Sequence, residues 1–141
     1  ILTFEGPLSV EDRRVFEQHP GMGARILAVV PFLAVAADVV GGHHERWDGG
    51  GFPGRLSGTS IPLGARIAAI ADALDEATAD RPEHRARPFA SFAEDLAREA
   101  GTRYDPRLVE AFLAEDPSQW LVQTADTGAA ARRQEAAAWN V

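Results

Sequence analysis

His43, His44 and Glu45 stand side by side just ahead of a glycine-rich stretch, Asp48 to Gly54. Neutral imidazole is the commonest metal ligand among side chains, and two adjacent histidines can converge on one ion where the backbone turns. Gly41 and Gly42, directly before the pair, make such a turn easy. His19 precedes His43 by 24 positions, and Asp72 follows His44 by 28. Asp72 sits in an otherwise apolar helical stretch, where an aspartate is either exposed or compensated by a cation, a hydrogen bond or a metal. Histidine and carboxylate ligands suit iron, manganese or zinc, and ions so held make hydroxide available at neutral pH. Each residue also has a plainer reading. His19 before a proline reads as a surface or capping residue, the His43-His44 pair as solvated, and Asp72 as an exposed helical carboxylate. His84, between Glu83 and Arg85 in a polar loop, reads as surface.

Helices have to position these groups. Ser9 with Asp12 resembles a capping box with aspartate in place of the usual glutamate, and a helix follows to about Gln18, ended by Pro20. Met22 to Val30 reads as a second helix, with Ile26, Leu27 and Val30 on one face. Pro31 starts a third, to about Val40, which Gly41-Gly42 interrupts. Asp48 to Gly58 reads as the main loop. Leu63 to about Thr78 is a strong helix, with Ile67, Ile70, Ala71 and Leu74 at helical spacing. Ser91 with Glu94 marks a capped helix to about Ala100. Asp105-Pro106 is an N-cap followed by proline at the first helical position, opening a helix to Ala114. Residues 1–115 are expected to form one domain portion and residues 116–141 a tail or linker.

Composition narrows the function classes. The chain has 141 residues, 45% hydrophobic and 25% charged, enough for one core. Its net charge is −7, a poor match for duplex nucleic acid or an anionic membrane. A small anionic substrate stays compatible, because a metal or a few arginines supply local positive charge. All 14 basic residues are arginine, and there is no cysteine. Disulfides and thiolate metal sites are thereby excluded, and a cytoplasmic location is compatible. Ile26 to Val40 is broken by Pro31 and Asp38 and is too short to span a bilayer. The start at Ile1, without a methionine, reads as that of a fragment or a processed chain.

Ordered motifs along the chain carry a resemblance. His43-His44-Glu45-Arg46-Trp47-Asp48-Gly49-Gly50-Gly51-Phe52-Pro53 is similar to the stretch H-H-E-x-x-D-G-x-G-Y-P of HD-GYP domains. Ile61 to Ile67 resembles that family's I-P-L-x-A-R-I. Ala71 to Asp75 and Asp80-Arg81-Pro82 resemble its A-D-x-x-D and D-R-P. His19 to Ala24 resembles its H-P-x-x-G-A, and Ala100 to Pro106 its A-G-T-x-F-D-P. The likeness covers roughly Ile1 to Leu113. Phe52 stands where the motif has tyrosine, which keeps the ring and loses a hydroxyl.

The resemblance implies an all-α, multi-helix HD-type domain, N-terminally incomplete in this chain. It implies two or three divalent metal ions, iron or manganese, and hydrolysis of cyclic di-GMP or a related cyclic dinucleotide. By the same resemblance His19, His43 and His44 match the histidines of one metal. Asp72 matches the aspartate that completes the other metal, so the catalytic assignment falls on Asp72. Asp75 matches a carboxylate of a third ion or of the surroundings of the first two. Arg81 matches a residue that meets substrate phosphate, with His84 where a second basic residue is usual. Glu45, Asp48, Gly49, Gly51, Phe52 and Pro53 form the motif loop. A diguanylate cyclase domain and a second copy are the implied macromolecular partners. No adjacent His-Asp pair occurs in the chain; the resemblance places that pair upstream of Ile1. The rival readings are a non-catalytic interaction module that kept the fold, and an HD-type phosphohydrolase acting on another nucleotide.

Overall fold

Ser9 opens the first helix: its side chain accepts the Asp12 N–H at 3.1 Å, as the capping pattern predicts. The computed structural model describes residues 9–80 and 85–115. Among these, five α-helices follow in order: α1 Val10–Ala28, α2 Ala34–Gly42, α3 Leu63–Thr78, α4 Phe89–Arg98 and α5 Pro106–Ala114. Short 3₁₀ turns cover Pro31–Leu33 and Gly58–Ser60. Ala100 and Tyr104 make an isolated bridge, and no strand occurs among the described residues. The domain is all-α, and no described helix is long and apolar enough to cross a membrane. Arg81, His84 and the tail expected over 116–141 lie outside the described residues.

Three helix boundaries differ from the sequence expectation. Helix α1 runs straight through Pro20, where a break into two helices is expected. A proline removes one helical N–H and leaves the carbonyl four residues earlier without its partner; a side chain takes that carbonyl here, as described below. Helix α2 continues through Gly41 and Gly42 to its end. Ser91 lies inside α4, which starts at Phe89 with Pro88 as its cap. The earlier start sets Phe89 and Phe92 on one face with ring centroids 6.0 Å apart. Helix α3 matches its expected span, and Asp105 caps α5 by accepting the Arg107 N–H at 2.9 Å.

The helices pack in sequence, α1 on α2, α2 on α3 and α3 on α4. Glycine sets the first spacing: a Cβ on Gly23 of α1 would lie 2.8 Å from Val40 Cγ1 of α2. The core is built from Ile61, Ala65, Ile70, Phe92, Leu96 and Tyr104, all buried. A buried ion pair pins it, with Arg66 donating to Asp105 at 2.6 Å and to the Ile61 carbonyl at 3.0 Å. On α1, by contrast, Val15, Met22 and Ile26 are exposed, as is Val29 at its end. Their spacing places them on the same side of the helix as His19.

Candidate metal centre

The missing N–H of Pro20 organises the first histidine. The carbonyl it would have bonded belongs to Phe16, and His19 Nδ1 lies 2.6 Å from that oxygen. A carbonyl only accepts, so Nδ1 carries a proton, and in the neutral ring Nε2 keeps its lone pair. The end of α2 repeats the device. Its last carbonyls have no helical partner, and His43 Nδ1 donates to the Val40 carbonyl at 2.7 Å. The two Nε2 atoms then meet at 3.4 Å. In the neutral rings both are acceptors, so the contact is a pair of facing lone pairs with room for a cation.

His44 closes the group. Its ring lies 4.0 Å from that of His43 and 4.9 Å from that of His19, centroid to centroid. One ligand atom from each of the three histidines lies within 4.8 Å of the others. Burial, and then the neighbouring His43 and His19, push His44 down to about 4, which keeps it in the neutral form that binds metal. The donor set therefore fits a divalent ion. Two nitrogens each about 2.1 Å from a tetrahedral ion stand about 3.4 Å apart, the separation that His19 and His43 show.

The loop after His44 is folded tightly around one carboxylate. Glu45 is buried, and its two oxygens accept the Gly54 N–H at 2.6 Å and the Leu56 N–H at 2.9 Å. Phe52 N–H donates to the His44 carbonyl at 3.2 Å, and the Phe52 ring lies 4.8 Å from the His44 ring. Asp48 accepts the Gly50 N–H at 2.8 Å and two bonds from Arg46, which hold its carboxyl down at about 2. Gly49 has φ 81°, and the Phe52–Pro53 bond is cis. A Cβ on Gly51 would lie 2.3 Å from the Arg46 nitrogen and 2.6 Å from the His44 oxygen, so only glycine fits there. A second loop ties this one down: Trp47 N–H donates to the Arg103 carbonyl and Asp48 N–H to the Thr102 carbonyl.

A cavity of about 360 Å³ opens beside the histidines, lined among others by Arg13, His43, His44, Gly51, Asp72 and Arg103. Asp72 thus faces the same space, and its charge acts on His44 in favour of a proton. Asp75, one turn further along α3, is exposed and is not in this lining. Sequence reasoning missed Phe16, whose carbonyl orients His19 and whose ring lies 4.9 Å from it. The signal was the His19-Pro20 order itself, once the helix is seen to continue. It also missed the arginines of the cavity wall, which no motif singles out.

The described residues thus form an all-α domain with three histidines gathered where α1 and the end of α2 meet. The HD domain family matches residues 2–108, and the chain belongs to it. A cyclic di-GMP phosphodiesterase of Vibrio cholerae is 36% identical over 121 residues, covering 81% of this chain and 25% of that protein. Another, of Thermotoga maritima, is 36% identical over 115 residues, covering 80% and 31%. A 3'3'-cGAMP-specific phosphodiesterase of Vibrio cholerae is 35% identical over 115 residues, covering 80% and 22%. The crystal structure of a cyclic GMP-AMP-specific phosphodiesterase of Vibrio cholerae superposes with TM-score 0.59 at 26% identity, over 79% of this chain and 26% of that one. The chain spans between 22% and 31% of the length of these three curated relatives.

Proposed function

We propose that the protein is a metal-dependent phosphodiesterase that hydrolyses cyclic di-GMP or a related cyclic dinucleotide. The observation that carries this reading is the facing of His19 Nε2 and His43 Nε2 at 3.4 Å beside an arginine-bearing cavity. The names of the relatives supply the substrate class. In this reading His19, His43 and His44 hold one ion, and Asp72 contributes to a second. Asp75 serves a third ion or the hydrogen bonds around the first two. Bound divalent iron or manganese supplies acidity to water and neutralises phosphoryl oxygens.

The chain's own residues do the positioning. Phe16 and Val40 fix two rings through their carbonyls. Glu45 holds the motif loop closed, and Gly51 lets that loop lie against the His44 backbone. The Phe52 ring lies against one side of the His44 ring. Arg81 and His84 meet substrate phosphate in the same reading. A cytoplasmic location, a diguanylate cyclase partner domain and a homodimer complete it.

Among the described residues the histidine trio is the one group of three or more metal-binding side chains so gathered, and a two-ion site needs ligands on both sides. That observation keeps a second reading alive, a non-catalytic interaction module. The test uses the protein made from its whole natural reading frame and residues 1–141 alone. Each is loaded with manganese or ferrous iron without oxygen, and linearisation of cyclic di-GMP and of 3'3'-cGAMP is followed by chromatography. Turnover by the longer protein and none by the segment is expected. Metal-loaded longer protein without turnover favours the interaction module, and turnover by the segment alone overturns the site assignment.

A further inference from the structure

Three guanidinium groups from three different parts of the chain line the cavity beside the histidines: Arg13 of α1, Arg46 of the motif loop and Arg103 of the loop before α5. Glu45 and Asp72 share the lining, so what matters is which of the three is free of a close carboxylate. Two of the three are tied up. Arg13 pairs with Glu17 at 3.1 Å, and Arg46 holds Asp48 with two bonds, at 3.1 and 2.7 Å. Arg103 is held loosely. Its carboxylate neighbour, Glu99, is 3.7 Å away, beyond hydrogen-bond distance, and that Glu99 oxygen is buried without a hydrogen-bond partner.

The backbone of Arg103 is tied to the motif loop, and its head group has no close carboxylate partner. Its backbone carbonyl accepts the Trp47 N–H at 3.1 Å, which sews it to the loop that follows His44. Its guanidinium carbon lies 5.2 Å from the centre of the buried Tyr104 ring. Its side chain borders a second hollow of about 340 Å³, whose wall includes Glu76, Arg87, Phe92 and Glu99. Among the described residues Arg103 is the single residue common to both linings. A planar fork with five donors, weakly paired and in the same cavity wall as His43 and His44, suits an oxyanion, and the phosphodiester is the oxyanion of the proposed substrate.

We propose that Arg103 is a substrate-binding residue that donates to a phosphate of the cyclic dinucleotide, exchanging its weak contact with Glu99 for the phosphodiester. The proposal rests on the phosphodiesterase reading above. It assigns recognition to the loop of residues 101–105, outside the motif loop and outside Asp80-Arg81-Pro82. Glu99 acts as the resting counter-charge of Arg103 in the free protein.

The test is kinetic and chemical, on the protein from its whole natural reading frame. Arg103→Gln should raise KM for cyclic di-GMP about tenfold to a hundredfold, the usual effect of losing one charge-assisted hydrogen bond. Metal content should stay at the parent's level, and kcat should fall much less than KM rises. Arg103→Lys keeps the charge and loses the fork, so it should recover part of the KM. Unchanged KM in Arg103→Gln overturns the proposal. Loss of metal with unchanged KM also overturns it, since Arg103 would then serve the loop and not the substrate. A second measurement needs no variant. Phenylglyoxal labelling of Arg103, read by peptide mass spectrometry on metal-free protein, should drop when cyclic di-GMP is added. Equal labelling with and without cyclic di-GMP overturns the proposal even if Arg103→Gln does not fold. The phosphodiesterase reading fails on a different result, absence of turnover by the metal-loaded parent.

Discussion

His19 and His43 face each other through Nε2 atoms 3.4 Å apart, and each has its Nδ1 hydrogen bonded to a main-chain carbonyl of its own helix. The carbonyls are those of Phe16 and Val40, three residues before each histidine. One carbonyl is free because a proline follows the histidine, the other because a helix ends. The same ring orientation thus arises from two different interruptions of helical hydrogen bonding.

Pro20→Ala tests the first of these. Alanine restores the N–H that belongs to the Phe16 carbonyl in a regular helix, so it competes with His19 Nδ1. Metal affinity should fall about tenfold to a hundredfold, the usual effect of losing the partner that orients a ligand histidine. Thermal stability should not fall, because proline within a helix costs about 3 kcal/mol relative to alanine. Calorimetric titration with manganese and a thermal melt read the two quantities separately. A variant that keeps its metal affinity would show that His19 is oriented by something else.

Gly51 and Gly50 should answer differently to alanine. At Gly51 the added carbon meets backbone atoms within 2.6 Å, whereas at Gly50 the nearest atom is the Asp48 carboxylate at 3.1 Å. Gly51→Ala should therefore displace the loop against His44 and lower both metal binding and stability. Gly50→Ala should leave stability within about 0.5 kcal/mol of the parent, as surface substitutions do. Urea titrations of the pair decide; equal behaviour would refute the close-approach account.

Glu45 holds the motif loop through two backbone donors. Glu45→Ala should destabilise by about 3 kcal/mol, since both donors lose a charged acceptor. Glu45→Gln keeps one acceptor oxygen and should lose roughly half as much. Hydrogen exchange at Gly54 and Leu56 should accelerate in both variants. A cost below about 1 kcal/mol for the alanine variant would mean the clamp contributes no more than an ordinary exposed contact.

Tyr104 is the sole tyrosine of the chain, so phenolate absorbance reports it alone. Burial chiefly raises it from 10.0 to about 12. The folded state favours the neutral phenol. The resulting stability is fully present below pH 10 and is lost as pH rises through about 12. A spectroscopic titration of folded protein should show a midpoint well above the usual tyrosine value. A midpoint at the ordinary value, with the fold intact, would mean the ring is solvated.

Much of this was readable in the residues. Helix α3 followed from its apolar spacing, Ser9 and Asp105 from cap chemistry, and the loop of residues 48–58 from its glycines. The convergence of His19 with His43 was not readable from spacing, because it depends on how closely α1 and α2 approach, and Gly23 sets that. Pro20 misled for a physical reason: the rule that proline ends a helix omits the case where a side chain takes the orphaned carbonyl. Gly41 and Gly42 misled similarly, since helix packing overrides their weak intrinsic helix preference. Ser91 had the right neighbours for a cap, but Phe89 and Phe92 drew the helix start one turn earlier.

The anchoring of His19 and His43 to their own helices has a consequence for how metal enters. Both rings are ordered when α1 and α2 pack, so their rotamer entropy is already lost before an ion arrives. If the trio holds an ion as proposed, uptake would be capture by a prepared cradle. It differs from the many small metal sites where binding and folding are one event. On that reading, removal of the metal should leave the helical circular dichroism of residues 1–141 unchanged.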